Sequence, residues 1–215
     1  EGIVAEIDQK LQELEVVTGK KFGDKDNPLL VSVRSGARVS MPGMMDTILN
    51  LGLNDVVADG MSKIMGTTAY DSYRRLIQMF GEVAMGVDKK HFDLDMDTVL
   101  KKYNIASDHD LTLEALKDVI SKYKDTYLRE VGTPFPEDPK EQLLLAVESV
   151  FRSWNTPRAK YYRKLNGFSD AWGTAVTIQE MVFGNMGEGS ATGVAFSRNP
   201  ATGENRLFGE YLINA

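Results

Sequence analysis

The sequence predicts an α+β protein. Three observations carry that prediction. A short apolar run near the start feeds a loop of small residues, a long middle stretch has helical periodicity, and the final quarter has β texture punctuated by glycine.

The elements follow in order. Ile3, Ile7, Leu11 and Leu14 recur at helical spacing, and Gly19 follows as a stop signal. Asn27-Pro28 breaks the chain. Residues 29–33 are short and apolar, which reads as a buried strand. Residues 35–43 carry two Gly, one Pro and several small side chains, which reads as a loop. Residues 47–51 fit a second strand or a helical turn.

From 54 to 136 the texture is helical throughout. Val56, Val57, Met61 and Ile64 mark one helix, and residues 70–85 a second with Tyr73, Leu76, Ile77 and Phe80 on one face. Residues 94–103 give a third. Thr112 caps a fourth, with Leu113, Leu116, Val119, Ile120 and Tyr123 as its stripe. Thr133-Pro134-Phe135-Pro136 then closes the stretch, so residues 54–136 are expected to form a helical subdomain inserted between 1–53 and 137–215.

Leu143, Leu144, Val147, Val150 and Phe151 mark a further helix, and Thr156-Pro157 starts another with proline at its first position. Three strands are expected after it, at 174–182, 193–197 and 206–213.

Composition bounds the function. The chain has 215 residues, 42% hydrophobic and 26% charged, enough for one large domain or two small ones. A net charge of −6 speaks against nucleic acid or an anionic membrane surface as partner. There is no cysteine, which excludes disulfides and thiolate metal sites and fits a reducing cytoplasm. His91 and His109 are the only histidines, too few for a multi-His zinc site, and both read as exposed helix-end or loop residues. Asp93, Asp95 and Asp97 lack the glycine and final glutamate of a calcium loop. The chain begins without Met, inside a helical pattern, and is expected to be a piece of a longer protein.

Three segments could carry chemistry. The first runs Val31-Ser32-Val33-Arg34-Ser35-Gly36-Ala37-Arg38-Val39-Ser40-Met41-Pro42-Gly43. Small residues let a phosphate approach backbone N–H groups, and Arg34 and Arg38 could add charge-assisted bonds. A tight surface turn with two solvated arginines fits the same residues. The second is Gly187-Glu188-Gly189-Ser190-Ala191-Thr192-Gly193-Val194-Ala195-Phe196, a flexible flap over phosphates or an ordinary hairpin link. The third is Thr177-Ile178-Gln179-Glu180-Met181-Val182, a strand end that could offer its backbone to an adenine edge, or a plain edge strand.

Longer strings add a resemblance. Leu29-Leu30-Val31-Ser32-Val33-Arg34-Ser35-Gly36-Ala37-Arg38, followed by Ser40-Met41-Pro42-Gly43-Met44-Met45-Asp46-Thr47, resembles the N-terminal nucleotide-binding domain of the pyruvate phosphate dikinase family. So do Ala69-Tyr70-Asp71-Ser72-Tyr73-Arg74-Arg75, Phe151-Arg152-Ser153-Trp154-Asn155-Thr156-Pro157-Arg158-Ala159, Trp172-Gly173-Thr174-Ala175-Val176 and Gly193-Val194-Ala195-Phe196-Ser197-Arg198-Asn199-Pro200. Residues 88–137 match in helical texture alone.

The resemblance implies an ATP-grasp-like domain of a cytoplasmic phosphotransferase. Such an enzyme interconverts ATP, phosphate and pyruvate with AMP, pyrophosphate and phosphoenolpyruvate. It works through a phosphohistidine on a separate swivelling domain. Arg34, Gly43, Thr192 and Gly193 are then expected at the ATP phosphates, and Gln179, Glu180, Met181 and Val182 at the adenine. The expected partners are ATP and the parent's phosphohistidine and pyruvate domains, in a homodimeric parent. Two departures stand out. The family's Gly-Gly-Lys-Gly segment is not in this sequence, and the family's Mg2+ ligands follow the last residue. The chain alone is therefore expected to bind ATP weakly at best and to turn nothing over. The alternatives are the same domain of a phosphoenolpyruvate synthase-like dikinase and a non-catalytic helical interaction module.

Overall fold

The computed structural model describes residues 2–215, and it divides into two compact units, Glu1–Met181 and Val182–Ala215. The first unit holds α1 (Gly2–Thr18), β1 (Lys21–Phe22), β2 (Pro28–Leu29), β3 (Val31–Gly36), β4 (Thr47–Leu51), α2 (Asp55–Met65), α3 (Thr67–Met79), α4 (Lys89–Tyr103), α5 (Leu113–Val131), α6 (Pro139–Ser153), α7 (Pro157–Asn166) and β5 (Ala175–Glu180). The second holds a hairpin, β6 (Ala191–Phe196) and β7 (Phe208–Ile213).

The first unit is built on a three-stranded antiparallel sheet in the order β4-β3-β5. Side chains alternate across a strand, so its two faces differ in kind. Val33 pairs with Ile48 on one side and Ile178 on the other, and this apolar face lies toward α1 and α6, where Ile3, Ile7, Val147 and Phe151 share a groove with Val176 and Ile178. The opposite face carries Arg34 between Thr47 and Thr177, with Gln179 next along β5. Pairing slips between Val31 and Val33, so Leu49 and Asn50 stand opposite one residue, a bulge. Asn50 takes φ +62 there, a conformation that asparagine tolerates better than most residues.

Between Asp55 and Val131 every regular element is helical, with a π-helical turn (Phe80–Ala84) after α3 and a 3-10 turn (Asp108–Asp110) before α5. Side chains cap these helices, and Thr112 is the cap the sequence offers. Asn54 accepts from the Val57 N–H, and Thr112 from the Ala115 N–H. Phe135 is the hub of the interior. Its ring meets Phe80 at 5.6 Å, Tyr127 at 5.5 Å and Tyr73 at 6.2 Å, all edge-on.

The stretch is anchored where it leaves and rejoins the rest of the unit. Buried Gln142 on α6 accepts from the Gly52 N–H and donates to the carbonyls of Leu53 (2.9 Å) and Pro136 (2.7 Å). One side chain thus ties both ends of the helical stretch. Because α3 also packs on β4, and the π-helical turn on α6, helices and sheet share one compact unit.

Several boundaries differ from the sequence reading. The strand expected at 29–33 is two strands, and β3 runs on through Ser35 and Gly36 because β5 pairs with it as far as Gly36–Ala175. The loop is therefore residues 37–46. Residues 47–51 are a strand. The helix expected at 70–85 ends at Met79 and continues as the π-helical turn, and α4 starts at Lys89, capped by Asp88. Arg74 is buried and paired with Asp71 and Asp108, so the Tyr73-Arg74-Arg75 face serves the helical layer itself. In the second unit β6 begins two residues before Gly193 and β7 two residues after Arg206.

Candidate functional site

A polar cleft of about 240 Å3 opens beside the sheet, between the end of β3 and the following loop. Arg34, Ser35, Ser40, Gly43 and Thr47 are among its lining residues. The fold thus brings Arg34 and Gly43 together, nine residues apart in sequence. Arg34 is exposed, and no carboxylate of the described residues lies within ion-pair reach of it. An exposed guanidinium flanked by hydroxyls and lacking an acidic partner suits an incoming anion.

Gly43 has a specific conformational role. Met41 accepts from the Met44 N–H at 3.1 Å, which closes a turn with Pro42 and Gly43 at its centre. Gly43 takes φ +71, as the third residue of a type II turn must. The turn is folded back by α6 and α7. Ser153 Oγ accepts from the Asp46 N–H at 3.2 Å, Arg158 Nε donates to the Met44 carbonyl at 3.2 Å, and the Arg158 guanidinium also donates to the Asp46 carboxylate. Burial raises the Asp46 carboxyl above its ordinary range, while the Arg158 charge acts in the opposite direction.

Arg38 does not join Arg34 in the cleft. Its guanidinium sits 5.1 Å from the Trp172 ring centre, and Trp172 in turn stacks on Phe168 at 6.0 Å. Such a contact contributes about 0.5–1 kcal/mol at an exposed site. The sequence reading offered both arginines to a phosphate. The structure puts Arg34 at the cleft and engages Arg38 elsewhere.

The predicted adenine segment lies on and just past the edge strand β5. Alternate residues of an antiparallel strand turn their backbone groups toward the neighbour. Met181 N–H donates to Leu30 O at 2.8 Å and Gln179 O accepts from Ser32 Oγ at 3.4 Å, so both are directed at β3. Glu180, between them, has its backbone groups on the free edge, while its carboxylate pairs with Lys20 at 2.8 Å. Val182 is the first residue of the second unit.

Thr192 and Gly193 belong to that second unit. They lie within β6 and not in a loop; the glycine-rich connection precedes them and ends at Ser190. Thr192 Oγ1 donates to the Ala215 carbonyl at 2.5 Å. A Cβ on Gly193 would come within 2.7 Å of Glu210 O on β7, so glycine here is also required by strand packing.

Ser153, Arg158 and Trp172 fall within strings that carry the resemblance, but motif reading assigned them no role at this loop. They stand more than a hundred residues from the loop they touch, and no local pattern links them to it. Larger clefts of about 350 and 440 Å3 lie among α2–α5, but their charges are already matched. Lys117 faces Asp59, Lys124 pairs with Asp55 and Glu137, and Arg74 with two aspartates. Among the described residues no three His, Asp or Glu side chains converge as a metal set. The polar cleft offers hydroxyls and a guanidinium, and Asp46 is taken by Arg158. That donor set does not fit magnesium.

Comparison with known proteins gives a consistent result. Residues 2–215 match the family model described as pyruvate phosphate dikinase, AMP/ATP-binding domain. A pyruvate, phosphate dikinase of Clostridium symbiosum is 57% identical over 205 residues, covering 94% of this chain and 24% of the relative. The chloroplastic pyruvate, phosphate dikinase 1 of Zea mays is 53% identical over 215 residues, covering 100% of this chain and 23% of the relative. The pyruvate, phosphate dikinase of Rhizobium meliloti is 50% identical over 217 residues, covering 100% and 24%. The chain spans about a quarter of the length of the curated relatives it matches.

Proposed function

Since the chain belongs to the pyruvate phosphate dikinase AMP/ATP-binding domain family, we propose that it is the nucleotide-binding part of a phosphotransferase that interconverts ATP, phosphate and pyruvate with AMP, pyrophosphate and phosphoenolpyruvate. The observation that carries this reading is the convergence of Arg34 and Gly43 on one polar cleft, at the segment where the resemblance puts the ATP phosphates. Arg34 would neutralise phosphate charge, and the Gly43 turn would let the backbone approach it. The backbone of Glu180, on the free edge of β5, would meet the adenine edge, with Gln179, Met181 and Val182 around it. Thr192 and Gly193 enter as further phosphate contacts on the strength of their sequence alone.

The reading extends to parts that this chain does not supply. The fold is proposed to be ATP-grasp-like, with 54–136 inserted in sequence between 1–53 and 137–215. The phosphohistidine and pyruvate domains of a homodimeric parent would complete the reaction, in the cytoplasm. No helix among the described residues is long and apolar enough to cross a membrane. Magnesium would arrive with the nucleotide and take its protein ligands from outside this chain. These residues would bind and orient the nucleotide. The relatives named above are dikinases that use phosphate by name, which favours this assignment over a synthase-like one.

Calorimetric titration with Mg·ATP tests the proposal. Arg34→Ala should weaken binding by about tenfold or more, as loss of a charge-assisted contact does. Unchanged affinity would remove Arg34 from the phosphate site and favour the non-catalytic module.

A further inference from the structure

The loop from 37 to 46 has no regular secondary structure, yet it is held at both ends by residues remote in sequence. At its start, Arg38 stacks on Trp172, which is itself backed by Phe168. Arg163 fixes the turn that carries Trp172. Buried Arg163 donates to Asp170 Oδ1 and to the Trp154 carbonyl, each at 2.6 Å, with its guanidinium 3.9 Å from the Trp154 ring centre. At the loop's far end, Asp46 takes Ser153 on its backbone N–H and Arg158 on its carboxylate, and Arg158 also reaches the Met44 carbonyl. Both anchors come from the α6–α7 corner and the turn after α7. None of Arg38, Trp172, Ser153 and Arg158 lines the cleft.

We propose that this two-point clamp pre-organises the loop around the cleft, making Arg38, Asp46 and Trp172 positioning residues for a phosphate-bearing ligand. The proposal rests on the phosphate reading of the cleft given above. The gain is entropic. A free loop of ten residues must be ordered when an anion binds, and that cost is subtracted from affinity. A loop already fixed by stacking at one end and by a three-bond arginine–aspartate–serine knot at the other has met the cost during folding. The clamp acts on the phosphates alone, because the adenine segment lies on β5 and shares none of these contacts.

The test uses the full-length protein that carries this chain. Affinities for Mg·ATP and for adenosine are measured by calorimetry for the parent sequence and for Arg34→Ala, Asp46→Asn, Trp172→Ala and Trp172→Phe. Asp46→Asn and Trp172→Ala should each weaken ATP binding by about tenfold and leave adenosine unchanged, since misplaced binding groups cost affinity only where they act. Trp172→Phe keeps a ring for Arg38 and should restore most of the loss. If Arg34→Ala weakens ATP but the clamp variants do not, the clamp is overturned and the phosphate reading stands. Equal losses for ATP and adenosine would reduce the clamp to ordinary structural support and overturn it. If Arg34→Ala itself changes nothing, the phosphate reading fails and the clamp falls with it.

Discussion

The helical stretch and the cleft loop treat polar groups in opposite ways. In the helices several charges and hydroxyls that leave solvent find close partners. Arg74 has two aspartates, Tyr73 donates to Glu137 at 3.0 Å, and Thr126 donates to Asp95 at 2.6 Å. At the cleft, Arg34, Ser40 and Gly43 stay open, while the residues behind them do the fastening. Matched polar groups stabilise a fold and offer nothing to a ligand. Groups left open contribute little to the fold and can be spent on a partner. The two regions therefore predict opposite outcomes for substitution.

The largest expected effect is at the aromatic hub. Phe135→Ala should cost about 3–5 kcal/mol, because it empties a buried site touched by three rings. Urea unfolding reads it directly. A cost below about 1 kcal/mol would mean that the layer can collapse onto the gap and is less rigid than its packing implies.

Next comes Gln142. Gln142→Ala leaves the Gly52 N–H and the Leu53 and Pro136 carbonyls without their shared partner, and one buried unpaired group costs about 1–3 kcal/mol. A loss near 3 kcal/mol is expected, with a steeper loss of order in the helices than in the sheet by hydrogen exchange. A uniform loss would contradict the role of Gln142 as the tie between both ends of the stretch.

Alkaline pH probes the same layer. Burial pushes the Tyr127 hydroxyl up to about 12, and burial also raises Tyr73 and Tyr123. These phenols ionise near 10 when unfolded. The folded state therefore holds its protons longer. The stabilisation is complete below pH 10 and is lost as pH rises above it. Each tyrosine should cost about 1.4 kcal/mol per pH unit once the unfolded state has ionised, until its own folded value is reached. Denaturation midpoints at pH 9, 10 and 11 should fall accordingly, and Tyr127→Phe should make the slope shallower by one proton's worth. A flat profile to pH 11 would mean that these hydroxyls ionise alike in both states.

The sequence showed these two regions unequally, for physical reasons. Helix periodicity and caps are local signals, so Thr112 and Thr156 marked helix starts that the structure has. The sheet depended on partners far along the chain. The extension of β3 through Ser35 and Gly36 follows from β5, about 140 residues later, and small residues alone read as loop. The same holds at the site. Arg34 and Gly43 stood out because a strand running into Pro-Gly has a local meaning. Arg38's stacking, and the hold of Ser153 and Arg158 on the loop, are tertiary facts that no spacing encodes. The place of Thr192 within a strand was hidden because its glycine-rich approach looks continuous with it.

The smallest stability change is expected where the functional change is greatest. Arg34 is exposed, carries no ion pair among the described residues, and stands between two threonines on the open face of the sheet. Removing it breaks no matched contact, so Arg34→Ala should move the unfolding free energy by no more than about 0.5 kcal/mol, in either direction. Fluorescence-monitored urea titration of the two proteins side by side is sufficient. A loss above about 1.5 kcal/mol would show that Arg34 has a structural partner after all, and the contrast between a layer that spends its polar groups on itself and a loop that reserves them would fail at its central residue.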